Sequence, residues 1–279
     1  MRKLLLLFVL FAFALAKETI LVSIAPQSYF LQQIAKGAVD VVILVSPGAS
    51  PATYSLRPSQ LAAIKRAKIY LAIGVPFERA QIERIKSTNP ALRIVDSTKY
   101  IRKVPMQAHH HHTKHNQEHE GLDPHVWIAP NLAIQLARTT LEALITLEPT
   151  KAKEFLHNYQ TLVAKIAAID TKIYAMMLRS KRKAFLVYHP SFGYFARSYG
   201  LVQLAIESEG KEPKMQELAR LIQKAKKLDI KTIFIEPQFP KRSAKFLAVK
   251  LGAKIEVIDP LAPDWDENIL KVARAIAGD

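Results

Sequence analysis

The sequence contains no cysteine. That excludes disulfides, thiolate metal sites and the lipid-modified cysteine of an exported lipoprotein, so any metal centre must be built from nitrogen and oxygen. Long apolar runs are missing too: the one from Leu4 to Ala16 falls short of the roughly 20 residues that span a bilayer. It follows Arg2 and Lys3 and closes on Ala14-Leu15-Ala16, the pattern of a cleavable secretory signal over residues 1–16. An exported, soluble, unanchored chain beginning near Lys17 is therefore expected. Acidic residues are scarce beside basic ones, 24 against 40, giving a formal charge of +16. Such an excess usually raises nucleic acid as a partner. Export argues against it, and cations such as Lys224, Lys226 and Lys227 are spread along helical patterns without interleaved aromatics. Nucleic acid is not expected; a solvated basic surface is.

What is plentiful is histidine in one place. His109 to Pro130 reads HHHHTKHNQEHEGLDPHVWIAP and holds seven of the nine histidines. Its two halves differ. His109, His110, His111, His112, His115 and His119 sit among Thr, Lys, Asn, Gln, Glu and Gly with no apolar periodicity, which predicts a surface loop over 109–120. His125 lies in a tight Asp-Pro-His turn followed by Val126, Trp127 and Ile128, a rigid and partly buried setting. Neutral imidazole is the commonest protein ligand for zinc-like ions, and His-rich tracts bind metal. One half could collect metal loosely while the other holds it firmly. The tract is internal and interrupted, unlike a purification tag.

The rest of the chain alternates strand and helix patterns. Strands are predicted at Thr19–Ser23, Val39–Val45, Ile69–Ile73 and Arg93–Val95, with helices at about Gln27–Ala35, Pro58–Ala67 and Pro76–Ser87. After residue 180 the rhythm recurs, with strands at Ala184–Tyr188, Val202–Ile206, Thr232–Ile235 and Ile255–Ile258. Helices at about Phe192–Tyr199, Lys214–Leu228, Pro240–Leu251 and Trp265–Ala277 alternate with them. Strict alternation implies right-handed crossovers and a parallel sheet covered on both faces. The expectation is two parallel-sheet α/β lobes, 17–148 and 181–279. Asn131–Leu147 is helical, and Pro149 opens a further helix. In it Phe155, Tyr159, Leu162, Ile166, Ile169, Ile173 and Met176 form one apolar stripe. This segment, 149–180, reads as a rigid helix joining the lobes, which should then hinge less than lobes joined by flexible crossings.

In open parallel sheets, ligands bind beyond the carboxyl ends of strands. His189 follows Tyr188, Glu236 follows Ile235, Asp259 follows Ile258, and Glu78 lies just past the strand ending at Ile73. Plainer roles compete: His189 before Pro190 could bond backbone, Asp259-Pro260 could form a turn and helix cap, and Glu236 suits support better than ligation. His157 falls on a polar helix face. Nitrogen and carboxylate groups converging with His125 on one cleft nevertheless favour a divalent cation.

At these residues the chain resembles the zinc and manganese solute-binding proteins of bacterial ABC importers. PGASPATYSLRPS is similar to that family's Pro-Gly-x-x-Pro-His-x-Tyr segment, DPHVWIAP to its second histidine motif, VYHPSFGYFARSYGL to its third, and FIEPQF with VIDPL to its C-terminal strand ends. The His-rich stretch resembles the loop of the zinc-specific branch. The resemblance covers nearly the whole chain after residue 16. It implies two α/β lobes joined by a long helix, metal in the cleft, a periplasmic location and a monomer. It also implies delivery to a membrane permease powered by a cytoplasmic ATPase. Carried over residue by residue, it makes His125, His189 and Asp259 the ligands, with nitrogen-rich ligation favouring Zn2+ over Mn2+. There is one departure: Ala52 stands where the family's first ligand histidine belongs. A loop histidine, Glu236, Glu78 or water would have to fill the position. An open His/carboxylate site also describes catalytic zinc. A metal-dependent hydrolase is therefore an alternative, but H-E-x-x-H, G-x-S-x-G and an evident general base are all missing. A metal-stabilised adhesion protein using the basic surface is the other. A binding protein, not an enzyme, is expected.

Overall fold

The computed structural model describes residues 17–106, 121–207 and 211–278. The expected signal segment 1–16 and the His-rich loop, with His109, His110, His111, His112, His115 and His119, lie outside the described residues. The first lobe runs β1 (Thr19–Val22), α1 (Ala25–Ala35), β2 (Asp40–Ile43), α2 (Pro58–Arg66), β3 (Ile69–Ala72), α3 (Pro76–Thr88) and β4 (Arg93–Asp96). A 3-10 turn, Val126–Ile128, leads into α4 (Pro130–Leu147); α5 (Ala152–Arg179) follows a 3-10 turn begun by Pro149. The second lobe runs β5 (Ala184–Val187), α6 (Gly193–Ser198), β6 (Val202–Ala205), α7 (Met215–Lys227), β7 (Thr232–Ile235), α8 (Arg242–Leu251), β8 (Lys254–Val257) and α9 (Trp265–Ala277).

All pairings in the two four-stranded sheets are parallel, and the orders correspond: β2-β1-β3-β4 and β6-β5-β7-β8. The sequence explains the central strands, since TILV of β1 and TIFI of β7 are buried at every residue and β-branched chains suit a sheet covered on both faces. In each sheet the order reverses beside the first strand, so the crevice at the carboxyl ends opens between β1 and β3 and between β5 and β7.

Helix α5 has 28 residues, about 42 Å at 1.5 Å per residue. Phe155, Leu162, Ile166, Ile169, Ile173 and Met177 are its buried face. Tyr159 and Met176 are only half-buried: after Ile173 the stripe advances by four residues to Met177, not by three. The helix packs against α1, α4 and α9. Asn158 Nδ2 donates to Ile34 O at 2.9 Å on the first lobe, and Tyr199 donates its hydroxyl to Asp170 Oδ1 at 2.6 Å from the second. The larger hydrophobic core is continuous across both lobes, taking in Phe30, Trp127, Ile166, Phe195 and Trp265. A smaller one, including Leu186, Leu204 and Leu221, belongs to the second lobe alone.

Two indoles lace the lobes together. Trp127 Nε1 donates to Pro260 O, and Trp265 Nε1 donates to Trp127 O, each at 2.7 Å and buried. Lys165 of α5 pairs with Asp266 at the start of α9. Among the described residues no helix is long and apolar enough to cross a membrane.

Candidate metal centre

His125 is held by its own turn. Asp123 Oδ1 accepts the backbone N–H of His125 at 2.9 Å and lies 2.7 Å from His125 Nδ1, an Asx turn closed onto the ring. The second lobe clamps it from outside: Tyr194 donates its hydroxyl to Asp123 O at 3.1 Å and accepts Val104 N at 3.1 Å. Upstream, Asp123 N bonds Val104 O at 2.8 Å, and a bridge pairs Pro105 with Leu122. His125 is 8% exposed.

His189 stands past the end of β5. Glu207 Oε1, past the end of β6, lies 2.6 Å from its Nδ1. Its ring stacks on Phe239 with centroids 5.0 Å apart and planes at 25°. The His125 and His189 rings meet edge to face, 5.1 Å between centroids. An ionised carboxylate only accepts, so each Nδ1 carries the proton and donates it, leaving a lone pair on each Nε2. That is how metal-ligating histidines are commonly supported. Burial holds the His189 imidazole below its usual pKa, against the opposing pull of the Glu207 bond, so the ring is neutral at pH 7.

The carboxylates singled out from sequence divide differently. Glu236 is 0% exposed; its Oε2 accepts His189 N at 3.3 Å, while Oε1 has no hydrogen-bond partner among the described residues. Burial, reinforced by the charges of Glu207 and Asp259, raises its pKa well above the usual carboxylate range, which favours the protonated carboxyl behind the His189 backbone. Asp259 Oδ1 accepts Leu261 N at 2.9 Å and Gln238 Nε2 at 3.0 Å, the turn geometry its proline neighbour suggested. Glu78 is buried beneath the first lobe's crevice, accepting Ile73 N and Gly74 N at 2.7 Å each and the Ser23 hydroxyl. Ala52 is exposed in the turn after Gly48, its N–H bonded to Ser50 Oγ at 3.3 Å. His157 is exposed on α5. Among the described residues no three His, Asp or Glu side chains form a group able to hold a metal; what converges is the imidazole pair.

Sequence reasoning missed Asp123 and Glu207. Asp123 heads the Asp-Pro-His turn, and Glu207 directly follows the strand Val202–Ile206, so the strand-end rule that points to His189, Glu236 and Asp259 points to it as well.

Two strutted α/β lobes with paired, carboxylate-backed imidazoles where they face each other define a helix-braced solute-binding protein suited to a metal ion. The chain belongs to the family described as zinc-uptake complex component A, periplasmic, whose profile matches residues 20–277. It is therefore the binding component of a zinc importer of the ABC type, not an enzyme. It is similar to a crystal structure of ZnuA, at 36% identity over 94% of this chain and 98% of that one, TM-score 0.87. A deletion mutant of ZnuA solved with zinc bound matches equally well in sequence, 36% over 94% and 97%, TM-score 0.86. The zinc-binding protein AdcA of Streptococcus pyogenes serotype M1 is 29% identical over 259 residues, 86% of this chain but 50% of AdcA, so the chain spans half of that relative's length.

Proposed function

We propose that this protein captures Zn2+ between His125 and His189 in the interlobe cleft and hands it to a membrane permease driven by a cytoplasmic ATPase. The observation that carries the reading is the imidazole pair, 5.1 Å between centroids, with each Nδ1 tied to a carboxylate. We assign Asp259 as the third donor, its Oδ2 drawn toward the imidazole pair when the ion binds, since Oδ1 is committed to its turn. Glu236 and Glu78 act as supports, and water takes the place that Ala52 leaves. His109, His110, His111, His112, His115 and His119 collect the ion before it reaches the cleft. Nitrogen donors favour zinc over manganese. Residues 1–16 direct export, and the protein works in the periplasm as a monomer.

Calorimetric titration of the chelator-stripped chain with Zn2+ tests this. A tight event of one ion per chain is expected, lost in His125→Ala and in His189→Ala. Undiminished tight binding in His189→Ala would place the site elsewhere.

A further inference from the structure

We infer that Glu207 is a positioning residue for zinc capture: its carboxylate fixes the tautomer and orientation in which His189 presents Nε2 to the cargo. The inference rests on the cleft being the zinc site, and the observations behind it are geometric. Glu207 is 6% exposed, and a buried carboxylate is costly unless it is bonded. Among the described residues the bond its side chain makes is the one to His189 Nδ1, at 2.6 Å. Main-chain bonds bring the two residues into register: Ile206 N reaches Val187 O at 2.9 Å, and Glu207 N reaches Tyr188 O at 3.1 Å, one residue before His189. The end of β6 is thus fastened alongside the end of β5.

Besides the His125 ring, three contacts hold His189. Glu236 takes the His189 backbone N–H, Phe239 covers one face, and Glu207 takes Nδ1. The first two set where the ring lies. Only the third decides which nitrogen is protonated, and only an Nε2 with a free lone pair can coordinate. Asp123 does the equivalent for His125, but its Oδ1 also holds the turn, so removing it would disturb the backbone. Glu207 is the cleaner lever. With alanine at position 52, a mis-set His189 would leave one correctly presented imidazole.

The test uses the 15N-labelled chain from Lys17 onward as wild type, Glu207→Ala and Glu207→Gln. Zinc affinity is measured by competition with a chelator, and the His189 tautomer by long-range 1H–15N correlation on the metal-free protein. Wild type should show the Nδ1–H form. Glu207→Ala should mix the tautomers and lose roughly 10- to 100-fold in affinity, the usual cost of removing such a partner. Glu207→Gln, which keeps an acceptor oxygen, should restore the tautomer and part of the affinity. The inference falls if Glu207→Ala lowers stability while tautomer and affinity stay unchanged. If Glu207→Ala does not fold, an Nε2–H tautomer in wild type or a Gln variant with the other tautomer overturns it. A wild-type chain that shows Nδ1–H but fails to bind Zn2+ refutes the zinc reading and leaves the role of Glu207 in setting the ring intact.

Discussion

Replacing Glu236 by glutamine isolates one buried proton. Glu236 is wholly buried, and its folded-state pKa stands well above the usual carboxylate range because of burial, then the charges of Glu207 and Asp259. Between the unfolded and folded values the native chain keeps a proton that the unfolded chain has released. Its contribution is therefore complete below about pH 4.5 and is lost as pH rises toward the folded pKa. Each pH unit in that window is worth about 1.4 kcal/mol. Glutamine has nearly the same shape, can accept His189 N in the same way, and never ionises. Urea unfolding of metal-free protein at pH 5 and pH 7 should show Glu236→Gln gaining on wild type for as much of that interval as lies below the folded pKa. The opposite slope from His189, whose lowered pKa makes stability rise with pH, is common to both proteins and cancels. Parallel pH profiles would mean that Glu236 is already ionised in the fold, refuting the reasoning. Zinc affinity should stay within a few-fold; a 100-fold loss would make Glu236 a ligand.

Trp265→Phe deletes the donor to the buried Trp127 carbonyl and should cost about 1–3 kcal/mol, read as a lower urea midpoint with unchanged slope; a cost under about 0.5 kcal/mol would mean the indole lace contributes little. Ala52→His should tighten zinc binding by roughly 10- to 100-fold, about 1.4–2.8 kcal/mol, and unchanged affinity would show that another donor already fills that position. Deleting residues 107–120 should abolish weak calorimetric binding and leave the tight event, and loss of the tight event would put loop histidines in the site. Ligand imidazoles must be neutral, and burial lowers the His189 pKa. Zinc affinity should therefore hold slightly below the usual imidazole pKa of about 6.5 and then fall as pH drops. A flat profile to about pH 5 would assign the ion to carboxylates.

The lobes were legible because buried parallel strands announce themselves as β-branched runs, and each observed strand lies within about a residue or two of its expected place. The imidazole pair was legible because His125 and His189 each sit in a Pro-containing strand-end or turn motif. What sequence could not rank was the carboxylates. Glu236, Glu78 and Asp259 all stand at strand ends, and only the folded structure shows that Glu78 caps Ile73 and Gly74 while Glu236 takes the backbone N–H of His189, 47 residues earlier. Glu207 was within reach of the strand-end rule, yet its pairing with His189 depends on β6 lying beside β5, a neighbour relation that chain order does not disclose.

The two tryptophans of the chain are the two indoles that lace the lobes, and the Trp127 ring lies 5.2 Å from that of His125. All of the protein's indole emission therefore originates behind the cleft. An ion drawn onto His125 alters the field at Trp127 directly, and any parting of the lobes breaks the bonds that hold both indoles. The unlabelled protein therefore carries its own optical gauge: its indole emission should change when the cleft fills and when the lobes part.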